Sequence, residues 1–315
     1  MKILINTSAL SEQDIDFSEF ATLGETRFFG EVPREELYAL AKDCEAVIVN
    51  KVDIDREFLK NCPKLKYVGV FATGYNCIDL SACRERGIPV CNVPDYSSNA
   101  VSQHTFALLL SLYGRINEYT SSVLRGDWIN SPTFCYFPWP TREIYGKTFG
   151  VYGYGSIGRA SAKIAVALGM NVIVCTRTPP EDCPYRIVGS DEIFKESDVL
   201  SLHCPLTEQT RGLVNERTLA LMKPSAVLIN TARGGLADER ALAEALNSGR
   251  LWGAGLDSVA VEPMREDNPL RTARNCLITP HIAWTALETR TRLVHTAYEN
   301  LKCFISGKPQ NIVNK

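Results

Sequence analysis

The stretch Phe149-Gly150-Val151-Tyr152-Gly153-Tyr154-Gly155-Ser156-Ile157-Gly158 decides how this chain is read. Phe149–Tyr152 reads as a short buried strand, and Ser156–Leu168 returns apolar residues at helical spacing. A G-x-G-x-x-G string alone says little. Between a strand and a helix it has a physical task. Gly153 permits the tight turn, Gly155 lets the backbone approach a pyrophosphate, and Gly158 lets the helix lie close to the strand. Unpaired amides at the helix start then donate to phosphate oxygens. Tyr154, Ser156 and Ile157 complete this candidate cofactor loop.

Working outward, strands are expected at Lys2–Asn6, Ala46–Asn50, Tyr67–Phe71, Asn171–Cys175, Val199–Leu202, Ala226–Asn230, Gly253–Leu256 and Cys276–Thr279. Amphipathic stretches lie between them, among them Arg34–Ala41, Glu216–Leu221 and Glu239–Asn247. Such alternation implies parallel sheets with helices on both faces. The pattern breaks at Ser98–Leu124, which reads as one long, largely apolar helix containing the run Phe106–Leu112. A loop rich in aromatics and proline follows, Trp128–Thr141, and a second long helix is expected at Leu287–Ile305. The first break marks a boundary between two doubly wound domains, and 315 residues suit two domains.

The strand Asn171–Cys175 ends without the carboxylate that would hold the ribose hydroxyls of NAD. Thr176, Arg177 and Thr178 stand there instead, and a hydroxyl with a guanidinium suits a 2′-phosphate. The reading is NADP or NAD, with NADP favoured. Hydride transfer from such a cofactor to a carbonyl also needs a proton donor tuned near neutrality, and a substrate bearing a carboxylate needs a cation to hold it. Arg233, just past the strand Ala226–Asn230, can grip a carboxylate with two parallel bonds. His281, just past Cys276–Thr279, can exchange the proton. Glu262 can accept the other imidazole N–H and set the tautomer. Taken singly, these residues read equally as a solvent-facing arginine, a structural histidine and a loop charge.

In order, the glycine loop, His203-Cys204-Pro205-Leu206-Thr207, Thr231–Gly235 with Ala237-Asp238-Glu239, Gly255-Leu256-Asp257, Glu262-Pro263 and Pro280-His281 resemble the D-isomer-specific 2-hydroxyacid dehydrogenase family. The resemblance runs from about Tyr67 to the C-terminus; the first sixty residues match only in overall pattern. Ala72-Thr73-Gly74-Tyr75-Asn76, Asn92–Ser97, Ser102-Gln103-His104-Thr105 and His281–Trp284 resemble its glycerate dehydrogenase (hydroxypyruvate reductase) branch. The resemblance implies that Arg233, Glu262 and His281 are the catalytic set. It implies that the Thr73, Gly74 and Tyr75 backbone meets the substrate carboxylate beside Arg233 and His281. His203 and Pro205 belong to a cofactor motif, and Thr231, Ala232 and Asp257 are implied near the nicotinamide. Cys77 and Thr176 depart from residues frequent in relatives. The implied fold is α/β: a flavodoxin-like substrate domain, 1–98 plus 286–315, and a Rossmann-type dinucleotide-binding domain, 99–285, with a cleft between. The implied activity is hydride transfer between NAD(P)H and hydroxypyruvate or glyoxylate, by a homodimer.

A formal net charge of −2 with mixed signs argues against nucleic acid as a partner. No window is apolar enough to span a membrane, and the short run Lys2–Ile5 is no signal peptide. Eleven scattered cysteines without a C-x-x-C pair read as free thiols rather than metal ligands, and a cytoplasmic location is expected. Two rivals follow from the same residues. One is a dehydrogenase for a bulkier D-2-hydroxy acid, against which Phe137 and Trp139 would count where they narrow the pocket. The other is a dinucleotide-sensing binding protein, corepressor-like, which takes up cofactor without turnover.

Overall fold

The computed structural model describes residues 1–10 and 13–315. The chain divides into two units, Met1–Ser97 with Trp284–Lys315, and Ser98–Ala283.

In the first unit the strands are β1 (Lys2–Asn6), β2 (Glu25–Phe29), β3 (Ala46–Val49), β4 (Tyr67–Val70) and β5 (Val90–Cys91). They form one parallel sheet in the order β2-β1-β3-β4-β5, the flavodoxin-like winding. Period-two alternation sorts the strand residues between two cores. Leu4, Val47, Val49 and Val68 face Leu37, Phe58, Leu59 and Ala82 of the short helices. Ile3, Ile5, Ile48 and Tyr67 face Leu293, Ala297 and Leu301 of the helix Leu287–Ile305. The end of the chain thus covers the sheet that its beginning forms. Two covering helices start on aspartate caps, Asp55 accepting from Phe58 N at 2.8 Å and Asp79 from Ala82 N at 2.9 Å.

In the second unit the strands are β6 (Thr148–Tyr152), β7 (Asn171–Cys175), β8 (Arg186–Ile187), β9 (Val199–Leu202), β10 (Val227–Asn230), β11 (Gly253–Leu256) and β12 (Cys276–Ile278). Their order is β12-β11-β10-β9-β6-β7-β8, all parallel. The winding reverses between β6 and β9, the place where such sheets bind ligands beyond the strand carboxyl ends. One face is packed by Leu219, Leu242, Leu246 and their neighbours, the other by Phe106, Leu109, Leu112 and Ala162. The helix Ser98–Gly114 lies so close to β11 that a Cβ on Gly255 would stand 2.9 Å from Leu108 Cβ.

The single long helix expected over Ser98–Leu124 is two helices, Ser98–Gly114 and Ile116–Leu124. Arg115 sits between them with φ +54. Its guanidinium donates to Asn275 Oδ1 at 2.7 Å and Glu118 Oε1 at 2.8 Å, and lies 5.0 Å from the Trp252 ring centre. Those contacts hold a left-handed residue that a lone helix would not adopt. Strands β2, β5 and β8 were not expected from the sequence. All eleven cysteines are unbridged, and no described helix is long and apolar enough to cross a membrane.

Candidate active site

The glycine loop joins β6 to the helix Ser156–Ala167. Gly153 has φ +98, and a Cβ there would lie 2.6 Å from Cys204 N. Only glycine lets the loop press on the His203–Cys204 backbone. A Cβ on Gly158 would lie 2.2 Å from Gly153 O and 3.1 Å from Val151 Cγ1, so the helix start sits directly on the loop. Around Gly155 a Cβ would meet nothing within 4 Å. The helix begins there with no side-chain cap, so its first amides face open space with the positive end of the helix dipole behind them. Tyr154 is buried under the loop beside Tyr185, with the Arg159 guanidinium 4.6 Å from its ring centre. Two tight flanking glycines and one open central glycine fit a bound pyrophosphate.

Beyond β9, partly buried His203 bonds through Nε2 to Ser201 Oγ at 2.9 Å. Burial pushes its imidazole down to about 4, so it is neutral at physiological pH. Pro205 follows on the surface. At the end of β7, Thr176 is partly exposed and Arg177 exposed, and Arg177 forms no ion pair among the described residues.

Three loops converge beyond β10, β11 and β12. In the first, Asn230 accepts from Ala232 N at 3.1 Å and donates to Arg233 O at 2.9 Å, which pins the turn. Thr231 is buried, its Oγ1 3.2 Å from Thr105 Oγ1. The Arg233 side chain is exposed and donates to Ala232 O at 2.8 Å, with no ion pair among the described residues. In the second loop Val259 and Ala260 run so close that a Cβ on Gly234 would lie 1.9 Å from Val259 C. That contact seats the Arg233 turn against the segment leading to Glu262. Glu239 secures the same segment, accepting from Ala260 N at 2.7 Å and Asn268 Nδ2 at 3.0 Å.

The third loop carries His281. Its Nδ1 lies 2.9 and 2.8 Å from the two Glu262 carboxylate oxygens. Both side chains are about one-quarter exposed, at 25% and 27%, so the pair is reachable but partly desolvated. Held this way, Nδ1 carries a proton toward Glu262 and Nε2 is left to exchange one with a ligand. His281 has φ +57, and its N–H donates to Thr279 O at 2.9 Å. Asp257, only 1% exposed, holds the loop: it accepts from Ile282 N and Ala283 N at 2.8 Å each and from Thr279 Oγ1 at 2.6 Å.

Glu262 and His281 thus meet directly, and the Arg233 turn abuts the backbone that presents Glu262. Thr73, Gly74 and Tyr75 lie in the other unit, in the loop after β4. There Thr73 Oγ1 donates to Val93 O at 2.9 Å and Thr73 O accepts from Asn92 Nδ2 at 2.8 Å. His104 and Thr279 were not picked out as site residues from the sequence. A histidine inside an apolar helix carries no local signal of a partner 175 residues away.

The model for the D-isomer specific 2-hydroxyacid dehydrogenase NAD binding domain matches residues 106–283. The hydroxypyruvate reductase of Blautia hydrogenotrophica is 41% identical over 324 aligned residues, covering all of both chains. The glycerate dehydrogenase of Methylorubrum extorquens is 42% identical over 281 residues, covering 89% of this chain and 88% of its own. Among solved structures, an acyclic imino acid reductase in complex with NADPH and D-Arg superposes with a TM-score of 0.88 at 33% identity, covering 99% of this chain and 100% of its own.

Proposed function

The chain belongs to the D-isomer specific 2-hydroxyacid dehydrogenase family, and on that premise we propose that it reduces a small 2-keto acid with NAD(P)H, hydroxypyruvate to D-glycerate or glyoxylate to glycolate. The observation that carries the reading is the Glu262–His281 pair at 2.8 Å, with the Arg233 turn seated against the segment that leads to Glu262 and no ion pair to Arg233 among the described residues. Arg233 binds the substrate carboxylate and orients the carbonyl. The chemistry that a dihydronicotinamide would supply when bound is the hydride for the carbonyl carbon. His281 gives its Nε2 proton to the carbonyl oxygen as charge develops there, and Glu262 stabilises the imidazolium and fixes the ring. In the reverse direction neutral His281 takes the hydroxyl proton. The amides of Ser156, Ile157 and Gly158 would hold the pyrophosphate, and the backbone at Thr231–Ala232 would lie toward the nicotinamide.

The exposed Thr176–Arg177 end of β7 lacks a carboxylate that would repel a 2′-phosphate, which supports NADPH over NADH. The relatives' names support a small polar keto acid over a bulky one.

Homodimer formation is part of the proposal. Outward-facing Gln103, Ala107 and Leu110 of one helix and Ala160, Ile164 and Leu168 of its neighbour line an open groove of about 970 Å³. It suits a second copy in a cytoplasmic enzyme.

The deciding experiment follows NADH and NADPH oxidation separately with hydroxypyruvate, glyoxylate and one bulky branched 2-keto acid. Oxidation with the small acids is expected, faster with NADPH. Tight cofactor binding with no oxidation by any acid would replace this reading with the dinucleotide-sensing one.

A further inference from the structure

The helix Ser98–Gly114 sets His104 beneath the loop that carries His281. The His104 side chain is 19% exposed, and its Nε2 lies 2.9 Å from Thr279 Oγ1 and 3.5 Å from Asp257 Oδ1. Thr279 Oγ1 is 2.6 Å from the same Asp257 oxygen. The hydroxyl has one proton, and the short contact to a carboxylate gives that proton to Asp257. The hydroxyl lone pairs then face His104, so His104 Nε2 is the donor.

Asp257 in turn accepts the amides of Ile282 and Ala283, the two residues after His281. The left-handed backbone of His281 is unfavourable for a residue with a Cβ and persists only where surrounding contacts impose it. The Asp257 contacts, made to the two residues that follow, are among those that hold it. Thr279 Oγ1 also lies 3.4 Å from Leu256 O, which offers its proton a second acceptor. Donation from His104 favours the rotamer aimed at Asp257, and each bond in the chain polarises the next.

We propose that His104 is a positioning residue for His281: through Thr279 it keeps Asp257 fully hydrogen-bonded, and Asp257 holds the loop conformation that brings the His281 ring to Glu262. The inference rests on reading His281 as the proton donor, but its effect on loop geometry is measurable without turnover. Removing the His104 donor frees the Thr279 hydroxyl to turn to Leu256 O. Asp257 then loses a donor, and the segment 279–283 relaxes.

The test uses the full chain with His104→Leu, His104→Gln, Thr279→Val and the double variant His104→Leu/Thr279→Val. Their kcat and KM for hydroxypyruvate, their NADPH affinity and their thermal midpoints are measured. So are the His281 ring signals by NMR at one fixed pH; four histidines make the assignment by substitution direct. His104→Leu and Thr279→Val are each expected to lower kcat roughly ten- to a hundredfold, as loss of a ring-orienting partner does elsewhere. NADPH affinity should change by less than about threefold, and the double variant should fall no further than the singles, because they break one chain. His104→Gln keeps an N–H donor at similar reach and should recover most of the loss. The His281 signals should move in His104→Leu while those of His203 and His295 stay in place.

Unmoved His281 signals in His104→Leu would overturn the proposal, as would losses that multiply in the double variant. If His104→Leu does not fold, Thr279→Val carries the same comparison of kcat and ring signals. If the wild type oxidises no cofactor with any keto acid, the functional reading falls, and the His281 signals alone decide the positioning role.

Discussion

His281 is chemically useful because one of its nitrogens is occupied. Glu262 takes Nδ1 at 2.8 Å, so the tautomer and ring plane are set before any substrate arrives. On the proposed reading, replacing His281 with Ala removes the proton donor and little else. Turnover with hydroxypyruvate is expected to fall about 10²–10⁴-fold, with NADPH affinity, read by fluorescence titration, nearly unchanged. Equal turnover would remove His281 from the chemistry. Thr176 makes a second residue-scale case. A carboxylate placed there by Thr176→Asp would repel a 2′-phosphate and accept from ribose hydroxyls. The ratio of kcat/KM for NADPH over NADH should drop at least tenfold, and an unchanged ratio would place the selectivity elsewhere. These candidates stood out in the sequence because Arg233, Glu262, His281 and Thr176 each stand at or just beyond a strand end or in a connecting loop, and the family likeness joined the first three into one proposed set. The support behind them was not. Asp257 binds Thr279, Ile282 and Ala283, and His104 joins from another helix, through contacts that no local pattern encodes.

At the scale of the element, the glycine loop separates a packing role from a ligand role. Gly158 sits where a Cβ would strike Gly153 O at 2.2 Å, so Gly158→Ala must push the helix Ser156–Ala167 off β6. A cost of about 1–3 kcal/mol in stability is expected by denaturant titration, together with weaker cofactor binding. Gly155 has φ −82 and open space around it. Gly155→Ala should leave stability within about 0.5 kcal/mol and still weaken NADPH binding severalfold, because the methyl enters the volume meant for phosphate. Equal stability losses in both variants would contradict this division. Other elements show where periodicity stops informing. β2 (ETRFF) has charged residues in a mostly exposed edge, and β5 and β8 have two residues each, too few to display alternation. The break at Arg115 depends on Asn275 and Trp252, far away in sequence, so the apolar pattern of Ser98–Leu124 runs through it without a mark.

For the molecule as a whole, strand–helix alternation with one glycine loop was enough to imply parallel α/β sheets. The order in which strands pair is a matter of tertiary packing, and the assignment of the last helix to the first unit came from family likeness rather than from any local signal. Global stability carries one titration legible only in the fold. His203 is held near 4 by burial against about 6.5 when unfolded. The unfolded chain therefore binds the extra proton first: the full contribution is present above about pH 6.5 and is lost as pH falls toward 4. Wild type should lose on the order of 2 kcal/mol more than His203→Gln between pH 7.5 and 5 in urea titrations, and parallel pH curves would show that His203 is not the group responsible. Assembly is set at the same scale. Leu110 remains 43% exposed although it lies inside the run Phe106–Leu112, whose other large side chains are buried. Leu168, 37% exposed at the end of the neighbouring helix, lines the same groove together with Ile164. A second copy covering that surface would make Leu110→Glu costly only in the assembled state, since the side chain already faces water in the single chain. Light scattering should find a dimer for the wild type and a monomer, or a dimer dissociating at least tenfold more readily, for Leu110→Glu, with the thermal midpoint at low protein concentration unchanged. A wild-type monomer, or a Leu110→Glu dimer of undiminished affinity, would assign the exposed leucine to some other purpose.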